Sequence, residues 1–239
     1  MAKGVIVLAH GSPQEQWVDE LVWSLQQAGV QLPSAGVQLT LLQKDLEQGL
    51  AATVTSLQQK GYDQLRLIPL LVAPVGGHWR DIVSFCQQTG IELGPIFGTD
   101  QIVLDILVDR YQEAVGQQSS TGVILVGHGV RRRQLVSSWN SWAQELTQTL
   151  ARKLAGRREV QQVNYCSLYP DNLRWVARAQ LEQGLTPVVL PLCISRGLLT
   201  TKLIPAKLTG LSCILGAPYL PHLGVGHWVA RQINEFHDR

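Results

Sequence analysis

The stretch GVIVLAHG at residues 4–11 decides the fold, because it returns as GVILVGHG at residues 122–129, 118 positions later. Each copy is an apolar run of β-strand length that ends in histidine and glycine. The run IPLLV at 68–72 corresponds in the same way to LPLCI at 190–194, at an offset of 122. Such a nearly constant offset indicates a duplicated half of roughly 118–122 residues.

A third landmark agrees with this duplication, since Leu-Gly at 93–94 is matched by Leu-Gly at 215–216. The segment GQQSST at 116–121 has the polar, flexible composition of a linker. The sequence therefore predicts an N-terminal lobe at 1–116 and a duplicated C-terminal lobe at 117–239.

Strand-like and helix-like runs alternate within each half. This alternation predicts two similar α/β lobes, each with a parallel four-stranded sheet flanked by helices, and an active-site cleft between them. Predicted strands of the first half lie at 5–9, 37–42, 65–72 and 91–96, and predicted helices lie near 15–28, 47–60, 79–89 and 100–116. Predicted strands of the second half lie near 123–127, 160–166, 186–194 and 212–215.

The composition is that of a globular protein, with 45% hydrophobic and 16% charged residues among 239. No apolar run is long enough to span a bilayer, and the first residues lack the pattern of a signal peptide. The four cysteines form no C-x-x-C pair, so we expect buried free thiols. These features predict a cytoplasmic protein without membrane contact.

Charge is divided unevenly along the chain. Residues 1–118 hold 6 Lys and Arg against 12 Asp and Glu, a formal charge of −6, whereas the remainder holds 14 against 6, a charge of +8. The basic half indicates an anionic partner, either a nucleic acid or a small molecule with many carboxylates. Because the sequence has no nucleic-acid-binding motif and no long basic stripe, the small molecule is favoured.

Two histidines of the first half follow predicted strands. His10 comes directly after the first strand, and His78 is expected in the loop after the third. Ligands of open parallel sheets bind beyond the carboxyl ends of the strands, where the strand order reverses, so both imidazoles are expected in one crevice. Imidazole binds transition metals and takes up a proton near neutral pH. The pair predicts an open metal site, with a purely structural role for each histidine as the alternative.

The second half lacks this pair. His128 corresponds to His10, but Thr200 occupies the position that corresponds to His78. His128 is therefore predicted to be a remnant of the duplication or a substrate contact.

Arginines stand at the equivalent strand ends of the second half. Arg131, Arg132 and Arg133 follow His128, and Arg196 follows the third strand of that half. Guanidinium groups bind carboxylates through paired hydrogen bonds, so we expect these four to bind an acidic substrate. A solvated surface is the alternative for such a run.

The motifs HGS at 10–12, GHWRDI at 77–82 and Leu-Gly at 93–94, before a helix that ends in Asp109-Arg110, resemble the CbiX/SirB-type class II chelatases. The resemblance covers essentially the whole chain, including the duplication. It implies the insertion of cobalt or ferrous iron into the tetrapyrrole sirohydrochlorin, in cobalamin or sirohaem biosynthesis. It also implies that His10 and His78 are the metal-binding and catalytic pair.

The resemblance implies no requirement for ATP, and the sequence has no phosphate-binding G-x-x-x-x-G-K-[ST] loop. The divalent metal is thus a substrate, and no organic cofactor is expected. We also expect Ser12, Gly76 and Gly77, which lie beside the two histidines, to contact the tetrapyrrole. Because the duplicated half can replace a partner subunit, a monomer is expected.

Two positions depart from the family pattern. Pro13 stands where arginine is common, and Gln43 stands where glutamate often ends the second strand. These departures leave a non-catalytic tetrapyrrole or metal carrier as the alternative function. A histidine phosphatase is disfavoured because Ala9 replaces the arginine that it needs, and a serine hydrolase because G-x-S-x-G is absent.

Overall fold

The computed structural model describes residues 2–10, 16–30, 36–42 and 46–239. Within these residues, eight strands form two four-stranded sheets with parallel pairing throughout. The first sheet contains β1 (Ala2–His10), β2 (Val37–Leu42), β3 (Tyr62–Leu70) and β4 (Glu92–Leu93), and the second contains β5 (Thr121–Gly127), β6 (Val160–Ser167), β7 (Thr186–Pro191) and β8 (Ile214–Leu215).

Helices connect the strands, as a parallel sheet requires. They are α1 (Gln16–Gln27), α2 (Leu46–Gln59), α3 (Gly77–Thr89), α4 (Gln101–Val115), α5 (Arg133–Leu154), α6 (Leu173–Glu182), α7 (Ile204–Leu208) and α8 (Leu223–His237). The predicted α/β architecture of two similar lobes, each with a parallel four-stranded sheet, is confirmed. None of the helices that the structure describes is long and apolar enough to cross a membrane.

The fourth strand of each sheet is much shorter than the sequence predicts. β4 covers only Glu92–Leu93, whereas the apolar run extends over 91–96. Gly94 still donates its backbone N–H to the carbonyl of Leu67 at 2.8 Å. The next residue, Pro95, has no N–H to donate, so the pairing ends there.

Both sheets have the same strand order, β2-β1-β3-β4 and β6-β5-β7-β8. The chain passes from β1 to β2 on one side and then returns to β3 on the other, so the order reverses between β1 and β3. In the register, Ala9 lies beside Leu70 of β3 and beside Leu41 of β2. The expectation that the first and third strands are neighbours is confirmed.

The central strands form the core because helices cover both faces of each sheet. Val5 to Ala9 of β1 and Val123 to Val126 of β5 have no exposed surface. These near-continuous apolar runs are the same segments that reveal the sequence repeat.

The chain forms two compact units whose boundaries differ from the repeat. One unit comprises Met1–Asp100 with Pro221–Arg239, and the other comprises Gln101–Leu220. The predicted lobes at 1–116 and 117–239 place α4 with the first sheet and α8 with the second. In the structure, α8 packs against α1, β1 and β3, whereas α4 packs against α5, β7 and β8. The last helix of each repeat thus belongs to the compact unit of the other repeat.

Arg66 of β3 connects α8 to the first sheet. Its side chain is 2% exposed, forms an ion pair with Glu92 and donates to the backbone carbonyl of Gln232 at 3.3 Å. Its guanidinium also lies 4.7 Å from the centre of the Phe236 ring. A buried charge is tolerated only where such partners replace water.

Arg110 has a comparable role for α4 in the second unit. Its guanidinium donates to the carbonyls of Pro218 at 2.8 Å and Tyr219 at 3.1 Å, and it forms an ion pair with Glu113. The adjacent Tyr111 is fully buried, and its hydroxyl lies 2.9 Å from that of Thr121. These contacts hold α4 on the second unit.

The four cysteines are free thiols. Cys86 and Cys166 are buried, as expected, whereas Cys193 and Cys213 are half-buried. Burial raises the pKa of Cys86 to about 11 and the pKa of both Cys166 and Cys193 to about 12. Because the thiolate is the reactive form, these side chains are suited to packing.

Gly226 marks the closest approach of α8 to α1, and this approach gives a testable prediction. A Cβ added at Gly226 would lie 1.8 Å from the carbonyl oxygen of Ser24. We expect Gly226→Ala to force the helices apart and to lower the free energy of unfolding by about 2 kcal/mol or more, as overpacking does. Denaturant unfolding would measure the change.

The matched control is Gly49→Ala on α2, where an added Cβ meets no atom within 4 Å. This variant should be more stable by about 0.5–1 kcal/mol, because alanine is the better helix former. Equal stabilities of the two variants would contradict the close packing of α1 and α8.

The exchange of α4 and α8 gives a second prediction, in which two fragments of similar length are compared. A fragment of residues 101–220 contains the second sheet with α4, whereas a fragment of residues 117–239 replaces α4 with α8. We expect a cooperative thermal transition from the first fragment and none from the second, because the second lacks the helix that packs against α5, β7 and β8. Circular dichroism would measure both transitions, and the opposite result would support the predicted lobe boundary at 116.

Candidate active site

The carboxyl ends of β1 and β3 meet at one edge of the first sheet. β1 ends at His10 and β3 ends at Leu70. The backbone of His10 is paired with Leu42 of β2, but its side chain is outside the described part of the chain. Ser12 and Pro13, within 11–15, and Gln43, within 43–45, also lie outside the described residues.

His78 lies in the first turn of α3, not in the predicted loop. The loop from β3 ends at Gly76, whose φ of 129° and ψ of 179° belong to a region that only glycine adopts readily. The helix therefore begins at Gly77, and the exposed imidazole of His78 is carried by its second residue. Gly76 has a conformational role, whereas a Cβ on Gly77 would meet no atom within 4 Å.

The first turns of α3 divide their side chains between the core and the surface. Ile82 is fully buried, and Trp79 packs against the same apolar cluster. His78 and Asp81, which are also three residues apart, are both exposed and share another face of the helix. Asp81 is a carboxylate that the sequence analysis did not select, although the spacing within GHWRDI places it beside His78.

The metal site remains a prediction. Among the described residues, no three His, Cys, Asp or Glu side chains lie close enough together to bind a metal ion. The side chain of His10 is outside this set. An open site in which protein groups occupy only part of the coordination sphere would suit a metal that must move on to another ligand.

The second sheet presents its basic residues at the corresponding edge. His128 follows β5 directly, and its imidazole is exposed. Arg131 and Arg132 are exposed in the loop that follows, and Arg133 begins α5. Arg196 is exposed after β7. All four arginines therefore follow the two strands between which the order of the second sheet reverses.

Thr200 has a structural role at the position that corresponds to His78. It is buried, and its hydroxyl accepts from the backbone N–H of Gly197 at 3.0 Å and donates to the carbonyl of the same residue at 3.1 Å. These bonds close the turn after β7. The second unit thus lacks an equivalent of His78.

Tyr169 is a residue of this edge that the sequence analysis missed. It follows β6, and its ring lies 4.4 Å from the guanidinium carbon of Arg131 and 5.0 Å from the centre of the His128 ring. No motif around Tyr169 indicates this contact, because the contact joins residues that are distant in sequence.

Tryptophans serve mainly in packing. Trp139 is buried, donates to the hydroxyl of Tyr165 and contacts Trp142 edge-to-face, with ring centres 5.2 Å apart. Trp175, in contrast, is 74% exposed. It lines a surface cavity of about 300 Å³ together with other residues on and before α6. None of the predicted site residues lines this cavity.

The exchange of α4 and α8 reduces the charge difference between the halves but preserves its sign. Residues 101–220 carry 13 Lys and Arg against 7 Asp and Glu, a formal charge of +6, and the other unit carries 7 against 11, a charge of −4. The basic unit is the one that contains Arg131 and Arg196. Its field therefore favours anionic ligands at this edge.

Comparison with known families identifies both halves of the chain. The family model described as CbiX matches residues 4–114 and again residues 122–236. The chain belongs to the CbiX family. The resemblance to CbiX/SirB-type class II chelatases is thus confirmed, and so is the duplication that the sequence predicted.

Individual relatives agree with membership of the CbiX family. A sirohydrochlorin ferrochelatase from Priestia megaterium is 26% identical over 251 residues, covering 96% of this chain and 88% of that protein. SirB from Bacillus subtilis with Fe3+ superimposes with a TM-score of 0.69 at 20% identity, covering 98% of this chain and 95% of that one. The sirohydrochlorin chelatase SirB from Bacillus subtilis subspecies spizizenii, in complex with cobalt, gives 0.66 at 18% identity, with coverages of 98% and 95%.

Proposed function

We propose that this chain inserts a divalent metal ion, cobalt or ferrous iron, into sirohydrochlorin without ATP, as a step of cobalamin or sirohaem biosynthesis. One observation carries the proposal. In a chain whose two halves both match CbiX, His10 is the last residue of β1 and His78 stands in the first turn of the helix after β3, and β1 and β3 are the strands at the order reversal. A ferrochelatase that is 26% identical along nearly the whole chain supports the same reaction. The cytoplasmic location and the monomeric state stay predictions.

The chemistry needs two abilities that imidazole combines. The incoming metal must be held weakly enough to be released, and two pyrrole N–H protons must leave the macrocycle. Neutral imidazole binds cobalt and iron, and it accepts protons near neutral pH. We propose that His10 and His78 hold the metal substrate and accept these protons, while Ser12, Gly76 and Gly77 border the bound macrocycle.

The arginines of the second unit are proposed to bind the acidic side chains of sirohydrochlorin. Arg131, Arg132 and Arg196 are exposed, and Arg133 is exposed at the start of α5. Each guanidinium offers paired N–H donors that match a carboxylate. Binding by the basic unit would leave the histidines of the acidic unit to handle the cation.

A non-catalytic tetrapyrrole or metal carrier is the second candidate. Pro13 and Gln43 favour it, because the family pattern has a charged residue at each of these positions. A carrier and a chelatase share binding and differ in turnover, so the same assay distinguishes them.

The reaction is tested first by anaerobic absorbance, with sirohydrochlorin mixed with cobalt(II) or ferrous iron. We expect insertion above the spontaneous rate, and a loss of about 100-fold or more in both His10→Ala and His78→Ala, since each removes a metal ligand and a proton acceptor. His227→Ala is the control, because His227 is exposed on α8 and has no proposed role. A spectral shift on binding without insertion would instead identify a carrier.

Charge reversal tests the role of the arginines. Replacing Arg131, Arg132 and Arg133 together by glutamate should raise KM for sirohydrochlorin by about tenfold or more and change kcat little, because charge-assisted hydrogen bonds to carboxylates are lost. Steady-state kinetics at two salt concentrations would measure the effect. An unchanged KM would rule out carboxylate binding by this run.

The matched control replaces Arg152, Arg157 and Arg158 together by glutamate. This variant changes the net charge by the same amount. Arg152 lies in the last turn of α5, and Arg157 and Arg158 lie between α5 and β6, at the amino edge of the second sheet. We expect a smaller rise in KM from this variant, because only the long-range field is altered. Equal effects of the two variants would indicate that net charge, and not a local site, attracts the substrate.

A further inference from the structure

We infer that Tyr169 is a positioning residue, which holds the guanidinium of Arg131 over its ring as a binding site for a carboxylate on a flat conjugated molecule. The inference rests on the proposed function, whose substrate has this chemistry. It goes further by selecting one arginine of the run and by naming the residue that orients it.

The contacts of Tyr169 separate Arg131 from its neighbours. The guanidinium carbon of Arg131 lies 4.4 Å from the centre of the half-buried ring, within the range of a cation–π contact. The exposed imidazole of His128 contacts the same ring, with centres 5.0 Å apart. Arg132 and Arg133 have no aromatic contact within the part of the chain that the structure describes.

Backbone contacts fix the position of the loop that carries Tyr169. The N–H of Val130 donates to the carbonyl of Tyr169 at 3.1 Å, so the loop after β5 is bonded to the loop after β6. This approach needs Gly129, whose φ is +77°, because a Cβ there would lie 2.1 Å from the carbonyl oxygen of Tyr169. The hydroxyl of Ser167 further closes the second loop by donating to the carbonyl of Pro170 at 2.5 Å. The backbone of Tyr169 is therefore held by bonds that do not depend on its side chain, so substitutions of the ring leave them in place.

The cation–π contact restrains Arg131 without occupying its hydrogen-bond donors. The arginine makes no hydrogen bond or ion pair with any residue that the structure describes, so its N–H groups stay available to an anion. The ring contacts the guanidinium without accepting its N–H groups, so that these groups remain available to a carboxylate, which accepts two of them. Because the stack limits the rotamers of the free side chain, binding loses less conformational entropy.

Tyr169, Arg131 and His128 together form what we call the aromatic platform. This platform lies where ligands of this architecture bind. His128 and Arg131 follow β5, Tyr169 follows β6, and Gly127 is paired with Ser167 at the ends of these strands. All three side chains thus stand at the carboxyl edge of the second sheet. The ring of Tyr169 and the imidazole of His128 add aromatic surface beside the cation, which suits a carboxylate attached to a conjugated ring.

The test measures binding of metal-free sirohydrochlorin by absorbance titration to the full-length protein and its variants. Tyr169→Leu should weaken binding about threefold to tenfold through loss of the stack. Arg131→Ala should weaken it about tenfold or more through loss of the paired bonds. Tyr169→Phe retains the ring and should bind as the parent does. Arg132→Ala should weaken binding less than Arg131→Ala does, because no ring orients its guanidinium. Arg158→Ala is the control, because Arg158 is exposed before β6, at the amino edge of the second sheet, and should change affinity by less than about twofold.

A double variant separates positioning from a general structural effect. Tyr169→Leu combined with Arg131→Ala should bind about as weakly as Arg131→Ala alone, because the ring acts through the arginine. In turnover, Tyr169→Leu should raise KM and leave kcat unchanged. Additive losses in the double variant, or a Tyr169→Phe as weak as Tyr169→Leu, would overturn the inference.

Failure of the proposed function has a different signature. If the parent binds sirohydrochlorin but Tyr169→Leu binds equally well, the platform is refuted and the chelatase proposal stands. If the parent does not bind sirohydrochlorin, the proposed function fails, and the platform is judged with benzene hexacarboxylate, a flat polycarboxylate. The same order of affinities with that probe would support the platform, and equal affinities would refute it.

Discussion

The parallel pairing of β1 with β3, repeated between β5 and β7, is the constraint on which the candidate site depends. Because these strands run side by side in one direction, their carboxyl ends reach the same edge of the sheet. The loops that leave this edge go to opposite faces, so polar side chains can stand beside the strand ends without burial in the core. In the first unit this edge receives His10 and His78, and in the second it receives His128 and the arginines. Under the proposed function, one topology, used twice, would thus serve a cation-binding chemistry in one unit and an anion-binding chemistry in the other.

Much of the fold could be predicted because buried parallel strands are apolar throughout, and the same runs occur twice. The helix exchange could not be predicted in this way. The apolar face of α4 indicates that it covers a sheet, but its pattern is equally suited to either of two similar sheets. The contacts that decide the matter, such as those of Arg110 with Pro218 and Tyr219, join residues more than 100 positions apart. The short β4 escaped the prediction for a local reason, since Pro95 ends a run whose apolar side chains continue to Ile96.

The candidate site, like the fold, could be predicted only in part from the sequence. Histidines and arginines at strand ends are visible in the sequence because their position follows from the strand pattern. The place of His78 in a helix depends on the backbone of Gly76, which a sequence does not display. Thr200 could be identified as the substitute for a histidine, but its hydrogen bonds within the turn could not. Tyr169 escaped notice because its importance comes from an approach of two loops, and nothing in the residues around it marks that approach.

The exchange of α4 and α8 has a consequence for how such a chain could arise. A polypeptide of one repeat would leave part of its sheet uncovered unless it traded its last helix with a second copy, in the manner of a domain-swapped dimer. Its stability would then fall on dilution, because folding and association would be one event. Joining two copies through the segment at 116–121 makes the trade intramolecular and independent of concentration. Fusion also frees each copy to diverge, and a chain built in this way can lose a histidine such as that replaced by Thr200 in one copy while keeping it in the other.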